Sequence, residues 1–440
     1  MIHPPSIGGD SRVWHSLEGG DTRISGGNLS RINPPPMRIL TLTNLYPPFY
    51  VGGYELRCAA ITEALRDRGH DIRVLTSDHS LDSQPAPANQ PHVQRKLRIH
   101  GYYGHPWLGL GQLQHLETHN NQALRGAIAE FQPDVVHVWC MNGLSKSLCL
   151  TLQQLGVPTV YDVSDHWILR SLKADVWLDW WNRREGSIAS RTQRTLWTIT
   201  GRRKALHPVA PTNPISDIRF QRLYFTSARL RELTAAQGYD VSHGSVIHCP
   251  VDTDHFSGAP VIREPRNWLW VGRLAEDKGI HTALRALALL GDRFQGELRV
   301  YGRGDADYVA MLKQFAREHA LPVTWHSATP DQMPDVYRAH DALLFTSEWE
   351  EPFALTPLEA MSCGLPVIGT MTGGSRELFR HADNALTYTA GNPGELSRRI
   401  LLLQRDHGLR RMITETGHRE VRARFAMKPI VDQVEGFLST

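Results

Sequence analysis

Two carboxylates with seven residues between them, Glu351 and Glu359, stand in the run E-P-F-A-L-T-P-L-E-A-M-S-C-G-L-P-V-I from Glu351 to Ile368. Before them, Ala342-Leu343-Leu344-Phe345-Thr346 has the uniform apolar character of a short buried strand. After Glu351, Thr356 suits an N-cap, Pro357 the first helical position and Glu359 the third, a capping-box pattern that predicts a helix from Pro357. Gly364 and Pro366 end it after about two turns. Glu351 then lies at the C-terminal end of a strand, where an open parallel sheet binds ligands. The helix N-terminus would offer the free amides near Phe353, Ala354 and Leu355 to an anion. On residue types alone a plainer reading is equally open: Glu359 closes the box and Glu351 is a solvated loop residue.

A second group of charges follows a second strand. Trp268-Leu269-Trp270-Val271 runs into Gly272-Arg273-Leu274 and Ala275-Glu276-Asp277-Lys278-Gly279, and a helix is predicted from Ile280 to Leu290. Arg273 offers a planar fork to phosphate oxygens and Lys278 a mobile point charge. The plainer reading is two surface cations.

Both segments resemble one family. Glu351 to Val367 is similar to the donor-site signature of the retaining glycosyltransferases of family 4, where Glu, seven residues and Glu are followed by Ala-Met-x-Cys-Gly-x-Pro-Val. Gly272 to Gly279 resembles that family's G-R-L-x-x-x-K-G, and Gly52-Gly53-Tyr54-Glu55 its G-G-x-E turn. Pro133 to His137 is close to its P-D-V-V-H, and Val246 to Phe256 resembles its crossover into the second domain, with Cys249-Pro250 in place of Asn-Gly. Against the family's T-x-H-D-x-W, Asp165 and Trp167 fall in register, while Ser164 replaces the His that usually faces the sugar. His166, two residues on, should point elsewhere in an extended segment. Pro352 and Ala354 stand where the family often has Gly, and Pro352 has no amide to donate.

The resemblance implies the GT-B fold, two Rossmann-like doubly wound parallel-sheet domains facing a cleft. It implies transfer of a hexose-type sugar from a UDP-, GDP- or ADP-sugar to a hydroxyl of a glycan, lipid-linked or small-molecule acceptor, with retained configuration and no metal or cofactor. Glu351 would support the transferred sugar and Glu359 hold the ribose. Arg273, Lys278 and the amides at 353–355 would stabilise the leaving diphosphate. Gly52, Gly53 and Gly272 would line the donor phosphates, Asp165 would face the reaction, and backbone near His326 would meet the base. Asp252-x-Asp254 could pass for the D-x-D metal motif of the other glycosyltransferase fold, but the stronger signature lies about a hundred residues downstream. Two alternatives come from other classes: a GT-B epimerase or phosphorylase, and a non-catalytic nucleotide-sugar-binding subunit.

These residues need two domains, and 440 residues supply them. Residues 37–257 are expected to form the acceptor-side domain, 258–427 the nucleotide-sugar domain, and 428–440 a helix returning to the first. Residues 1–36, rich in Gly, Ser, Pro and Arg, read as a disordered extension, and Met37 could be the initiator. A formal net charge of +3 excludes a nucleic-acid polyelectrolyte. Five cysteines without C-x-x-C pairing fit a reducing cytosol, and no apolar run is long enough to span a bilayer. A cytoplasmic protein is expected, with peripheral contact to the inner membrane face through residues 167–207. That stretch holds five tryptophans (167, 177, 180, 181 and 197) and nine bases against three acids, a local excess of +6. Such a mixture reads as a membrane-interface surface or a glycan-stacking platform, or as a core helix with a solvated basic face.

Overall fold

The computed structural model describes residues 35–80, 89–171, 175–183 and 187–440. The expectations for residues 1–34 lie outside the described residues.

Thirteen strands form two parallel sheets among the described residues. The first contains β1 (Arg38–Leu42), β2 (Asp71–Ser77), β3 (Val93–Leu97), β4 (Val135–Val138), β5 (Thr159–Val163), β6 (Leu223–Phe225) and β7 (Ser245–Val246), in the order β3-β2-β1-β4-β5-β6-β7. The second contains β8 (Asn267–Val271), β9 (Glu297–Tyr301), β10 (Val323–His326), β11 (Ala342–Phe345), β12 (Val367–Thr370) and β13 (Leu386–Tyr388), in the order β10-β9-β8-β11-β12-β13. Strands such as Val135–Val138 and Ala342–Phe345 are buried at every position, as sheets covered on both faces require. The strand order reverses between β1 and β4 in one sheet and between β8 and β11 in the other. Each reversal opens a crevice at the strands' C-terminal ends. The loops carrying Arg273, Lys278 and Glu351 leave β8 and β11, the two strands that flank the second crevice.

Helices cover the sheets because their apolar residues recur at helical spacing. Ile280–Leu290 buries Ile280, Ala283, Leu284 and Leu287 against the second sheet. Each fully buried Leu or Ile contributes about 1.5–3 kcal/mol. The last helix, Met427–Ser439, buries Ile430, Val431, Val434 and Leu438 against Ile39, Ile61, Leu65 and Ile72 of the first domain. Its Glu435 accepts from His70 Nε2 at 2.8 Å and from Arg68, while His70 Nδ1 accepts the Met37 amide at 3.0 Å.

Two expectations are corrected. The helix after Glu351 runs from Leu355 to Ser362 with Ala354 as N-cap, so Pro357 is the third helical residue and the predicted capping box is absent. Proline is tolerated throughout a first turn, where its missing N–H would be unpaired anyway, and so does not mark the first position alone. The tryptophans of 167–207 form neither a membrane surface nor a stacking platform. Trp167, Trp177, Trp181 and Trp197 are buried, and Trp180 meets Trp181 and Trp197 at centroid distances of 4.7 and 5.4 Å. Arg202 and Arg203 lie over the Trp197 and Trp181 rings at 4.0 and 5.5 Å. The rings are core, and the arginines cover it with their planar heads.

One buried ion pair fixes the helix Gly53–Asp67 to the first sheet. Arg57 Nη1 reaches both Asp162 oxygens at 3.1 and 2.8 Å, and Ser164 bonds to both partners. Arg57 and Asp162 are both buried. Removing one charge of such a pair leaves the other unpaired in a medium that solvates it poorly. Asp162→Asn is therefore expected to lower unfolding stability by roughly 3–5 kcal/mol in urea titrations. A loss below about 1 kcal/mol would contradict this role for the pair.

Candidate active site

The turn after β8 is held against the strand exit after β11. Gly279 has φ +66°, and a Cβ there would stand 2.0 Å from the Thr346 carbonyl oxygen. Only glycine permits both the conformation and the approach. Thr346 Oγ1 donates to the Lys278 carbonyl at 2.8 Å, locking the two loops together. Lys278 is thereby aimed at Glu351: its Nζ bonds Glu351 Oε1 and sits 5.0 Å from the Trp349 ring centroid. Ser347 Oγ donates to the same Glu351 oxygen at 2.8 Å. The two side chains come from positions 73 residues apart.

Glu359 lies one helical stretch further on. Burial pushes its carboxyl pKa up, against the lowering effect of the Tyr337 hydroxyl, which donates to Oε2 at 2.7 Å. Its partner is thus a tyrosine rather than the helix N-terminus. Glu359 and Leu355 line a 430 Å³ cavity together with Gly53, Arg57, Phe256 and Met333, so its walls come from both domains. Gly53 lies directly against Leu355, whose Cδ1 would stand 2.9 Å from a Cβ there. Gly52 N–H donates to Glu55 at 2.9 Å, which shapes the turn.

The remaining predicted residues are arranged less tightly. Arg273 is 64% exposed and pairs with Asp277 at 3.0 Å, on the same loop as Lys278. Gly272 follows β8 directly and packs on the Trp270 ring. Phe353 and Ala354 are buried, and the Phe353 ring packs at a tilt against His248 and Phe425 at centroid distances of 5.1 and 5.8 Å. With the helix starting at Leu355, the amides left free by helix geometry are those of Ala354, Leu355 and Thr356, since Pro357 has none. His326 is exposed, stacks on Tyr301 and bonds the Thr324 hydroxyl at 2.9 Å. Asp252 caps its own turn, accepting the Asp254 and His255 amides at 3.1 and 3.0 Å.

Two family models match the chain: "Glycosyl transferase 4-like domain" over residues 52–200 and "Glycosyl transferases group 1" over 254–420. An uncharacterised glycosyltransferase of Methanocaldococcus jannaschii is 29% identical over 413 residues, covering 90% of this chain and 96% of that one. The Anabaena protein HepE, solved in complex with UDP, superposes with a TM-score of 0.65 at 20% identity over 92% of this chain and 100% of its own. A sucrose-phosphate synthase from Thermosynechococcus elongatus gives 0.65 at 19% over 91% and 98%. The chain belongs to the GT-B glycosyltransferases of the GT4 type.

On the other wall of the glycosyltransferase's cleft, Asn44, Tyr103 and Asn142, which sequence reading missed, join the expected Asp165 in a polar edge above the first sheet. Asn44 Nδ2 donates to the Tyr103 hydroxyl at 3.0 Å and to the Asn142 carbonyl at 3.1 Å. Asn142 Nδ2 donates to Asp165 Oδ2 at 3.3 Å, and the Trp167 amide to Oδ1 at 2.8 Å. The loops after β1, β4 and β5 supply Asn44, Asn142 and Asp165, so their position at strand ends was the available signal. Burial raises the Asp165 carboxyl from its ordinary 3.8 to about 6, with the amide and Asn142 opposing. The ionised form carries the cost. The penalty is absent at low pH, grows between about 4 and 6, and is full above 6. Asp165→Asn is therefore expected to raise the melting temperature at pH 8 and to leave it nearly unchanged at pH 4. An equal shift at both values would contradict the burial account.

Proposed function

We propose that this glycosyltransferase transfers a hexose-type sugar from a uridine-diphosphate sugar to an acceptor hydroxyl with retained configuration, without a metal or cofactor. The observation that carries this reading is the meeting of Lys278 and Glu351 across two loops at the second crevice, beside the N-terminus of the helix that bears Glu359. Complexes of HepE with UDP and with UDP-glucose favour uridine over the guanosine and adenosine donors that the sequence leaves open.

The chemistry follows from placement. In the absence of donor, Lys278 and Glu351 neutralise each other. An incoming diphosphate takes Lys278 as its counter-charge and leaves the Glu351 carboxylate to face the sugar. Arg273, paired with Asp277 on an exposed loop, turns its fork to the same diphosphate. The free amides of Ala354, Leu355 and Thr356 add donors at the positive end of a helix. Glu359, in a cavity closed on one side by Gly53, holds the ribose hydroxyls. As the bond to the sugar breaks, Arg273 and Lys278 stabilise the charge that develops on the leaving diphosphate. A diphosphate oxygen takes the acceptor proton.

These roles separate by measurement. Truncating a charged partner of a desolvated phosphate contact costs roughly 2–5 kcal/mol. Arg273→Ala is expected to weaken UDP binding in calorimetry at least about tenfold, the fold-change of 1.4 kcal/mol. Glu351→Ala is expected to leave UDP binding within a few-fold and to depress turnover of the sugar nucleotide. Wild-type turnover by Glu351→Ala, or unchanged UDP binding by Arg273→Ala, would refute the assignment.

The acceptor in this reading is lipid-linked, presented at an anionic membrane. The tryptophans do not make that surface; the helix Ile188–Ile199 does. Ile188, Leu196 and Ile199 are 82%, 56% and 79% exposed on the face opposite the buried Trp197. From Ser187 to His207 there are five cations (Arg191, Arg194, Arg202, Arg203 and Lys204) and no acid. An amphipathic helix of this kind lies in a membrane interface with its basic residues toward anionic headgroups. No helix among the described residues is long and apolar enough to cross a membrane. The protein is expected to float with anionic vesicles at low salt and less at high salt, and Ile188→Glu/Ile199→Glu to stay behind. Failure of the wild type to float at low salt refutes the membrane contact.

A further inference from the structure

The loop that carries Glu351 is held from both domains, and the backbone on either side of Glu351 is held from the opposite one. Its three successive carbonyls, of Glu350, Glu351 and Pro352, each accept a hydrogen bond. His166 Nε2 donates to the Glu350 carbonyl at 3.0 Å, and Ser227 Oγ donates to that of Pro352 at 2.7 Å. Both donors belong to the first domain, at the ends of β5 and β6. Only the middle carbonyl, of Glu351, is held from within the second domain, by the Gly374 amide at 2.7 Å. The Glu350 side chain is gripped by Arg229, whose Nε and Nη2 reach its two oxygens at 3.1 and 2.9 Å. The Arg229 amide donates in turn to Glu377 at 3.1 Å. Trp349, one residue earlier, is sandwiched by His166 at 5.3 Å and Arg170 at 5.4 Å from the first domain, and Lys278 from the second.

From this arrangement we infer that His166 and Arg229 are positioning residues that set the Glu351 carboxylate from across the cleft, so that the donor site is complete only when the two domains meet. The inference rests on the assignment of Glu351 to the transferred sugar. Its physical basis is the direction of a short chain. Glu351 projects from a loop whose backbone has no sheet or helix hydrogen bonds of its own at 350–352. Fixing the carbonyls on either side of a residue fixes its Cα–Cβ direction. Lys278 and Ser347 can then hold the carboxylate at a single place. A shift of about 1 Å in such a group costs up to about a hundredfold in rate. Binding of the nucleotide does not run through these bonds: Arg273, Lys278 and Glu359 stand on the second domain, and the first domain reaches the ribose cavity through Gly53, away from His166 and Arg229. Closure is thereby coupled to catalysis rather than to donor affinity.

His166 has no role as a ligand in this account. Its Nε2–H is spent on a carbonyl, and burial keeps the ring below its ordinary pKa, hence neutral. Arg229 likewise is committed to Glu350, whose carboxyl it holds below the usual range.

The test uses the full chain with His166→Ala, His166→Gln, Arg229→Ala and Arg229→Lys. Hydrogen–deuterium exchange without ligand reads the loop directly. The two alanine variants are expected to raise exchange several-fold across residues 349–354 and at Gly374. With UDP-glucose as probe, or the sugar nucleotide that the wild type turns over best, kcat is expected to fall tenfold or more, while UDP affinity stays within twofold. His166→Gln, which restores a donor at similar reach, is expected to recover most of the rate. Arg229→Lys is expected to recover less, since one ammonium cannot hold both carboxylate oxygens. Unchanged exchange in the alanine variants, unchanged kcat despite faster exchange, or parallel loss of UDP affinity and kcat would each overturn the inference. A wild type that turns over no sugar nucleotide sinks the donor reading instead, and the exchange data still decide whether the first domain anchors the loop.

Discussion

A lysine and a glutamate drawn together from two loops are the constraint on which the rest of this structure turns. Lys278 and Glu351 are mostly shielded from solvent, with side-chain exposures of 20% and 11%. Shielded charges are costly unless each finds a partner and the remaining hydrogen-bond capacity is met. Here the partner of each is the other, and Ser347 adds a second donor to the same carboxylate oxygen. The pair persists only because its backbone supports do. Gly279 lets the first loop press on the Thr346 carbonyl, and β8 and β11 are hydrogen-bonded neighbours, so their exits open side by side. A site of this kind is poised: a ligand carrying negative charge next to a neutral sugar can divide the pair between its two halves.

The first domain adds what the second lacks. Its helix Gly53–Asp67 brings a glycine edge against Leu355, and the buried Arg57–Asp162 pair fixes that helix to the sheet. The terminal helix Met427–Ser439 packs back on the same domain through Ile430, Val434 and Leu438, and a parallel bridge joins Val251 to Ala426 where the chain crosses between domains. The two halves of the glycosyltransferase are thus tied at one end by crossing chain and face each other across the cleft at the other. Contacts across that cleft, such as Arg229 to Glu350 and His248 to Glu377, are polar and part-buried, the kind that can be broken and remade as domains move.

Much of this is written plainly in the sequence. Apolar runs such as Ala342–Phe345, and Val135–Val138 with its single His137, read as buried strands, and the helix Ile280–Leu290 is framed by Gly279 and Gly291. The pairing of Lys278 with Glu351 follows from two strand-loop-helix units in one parallel sheet. Other features were hidden for physical reasons. Val93–Leu97 reads V-Q-R-K-L, an edge strand whose polar residues give no apolar run. Glu359 looks like a capping residue because Thr356-Pro357 precedes it, yet Tyr337, 22 positions away, takes its carboxylate. Tryptophan beside arginine is ambiguous in one dimension, since a stacked guanidinium serves a core rim as well as a membrane surface. Trp349 and Glu350 carry no motif at all. Their importance lies in what His166 and Arg229 do to them from 121 to 184 residues away.

The central claim is that the Lys278–Glu351 crevice is where a nucleotide-diphosphate sugar binds. Calorimetric titration of the wild-type chain with UDP, repeated at pH 7 in buffers of low and high ionic strength, tests it most directly. One UDP per chain is expected, with affinity falling as salt rises because two cations meet the diphosphate. No measurable binding of UDP, or binding indifferent to salt, would contradict the account.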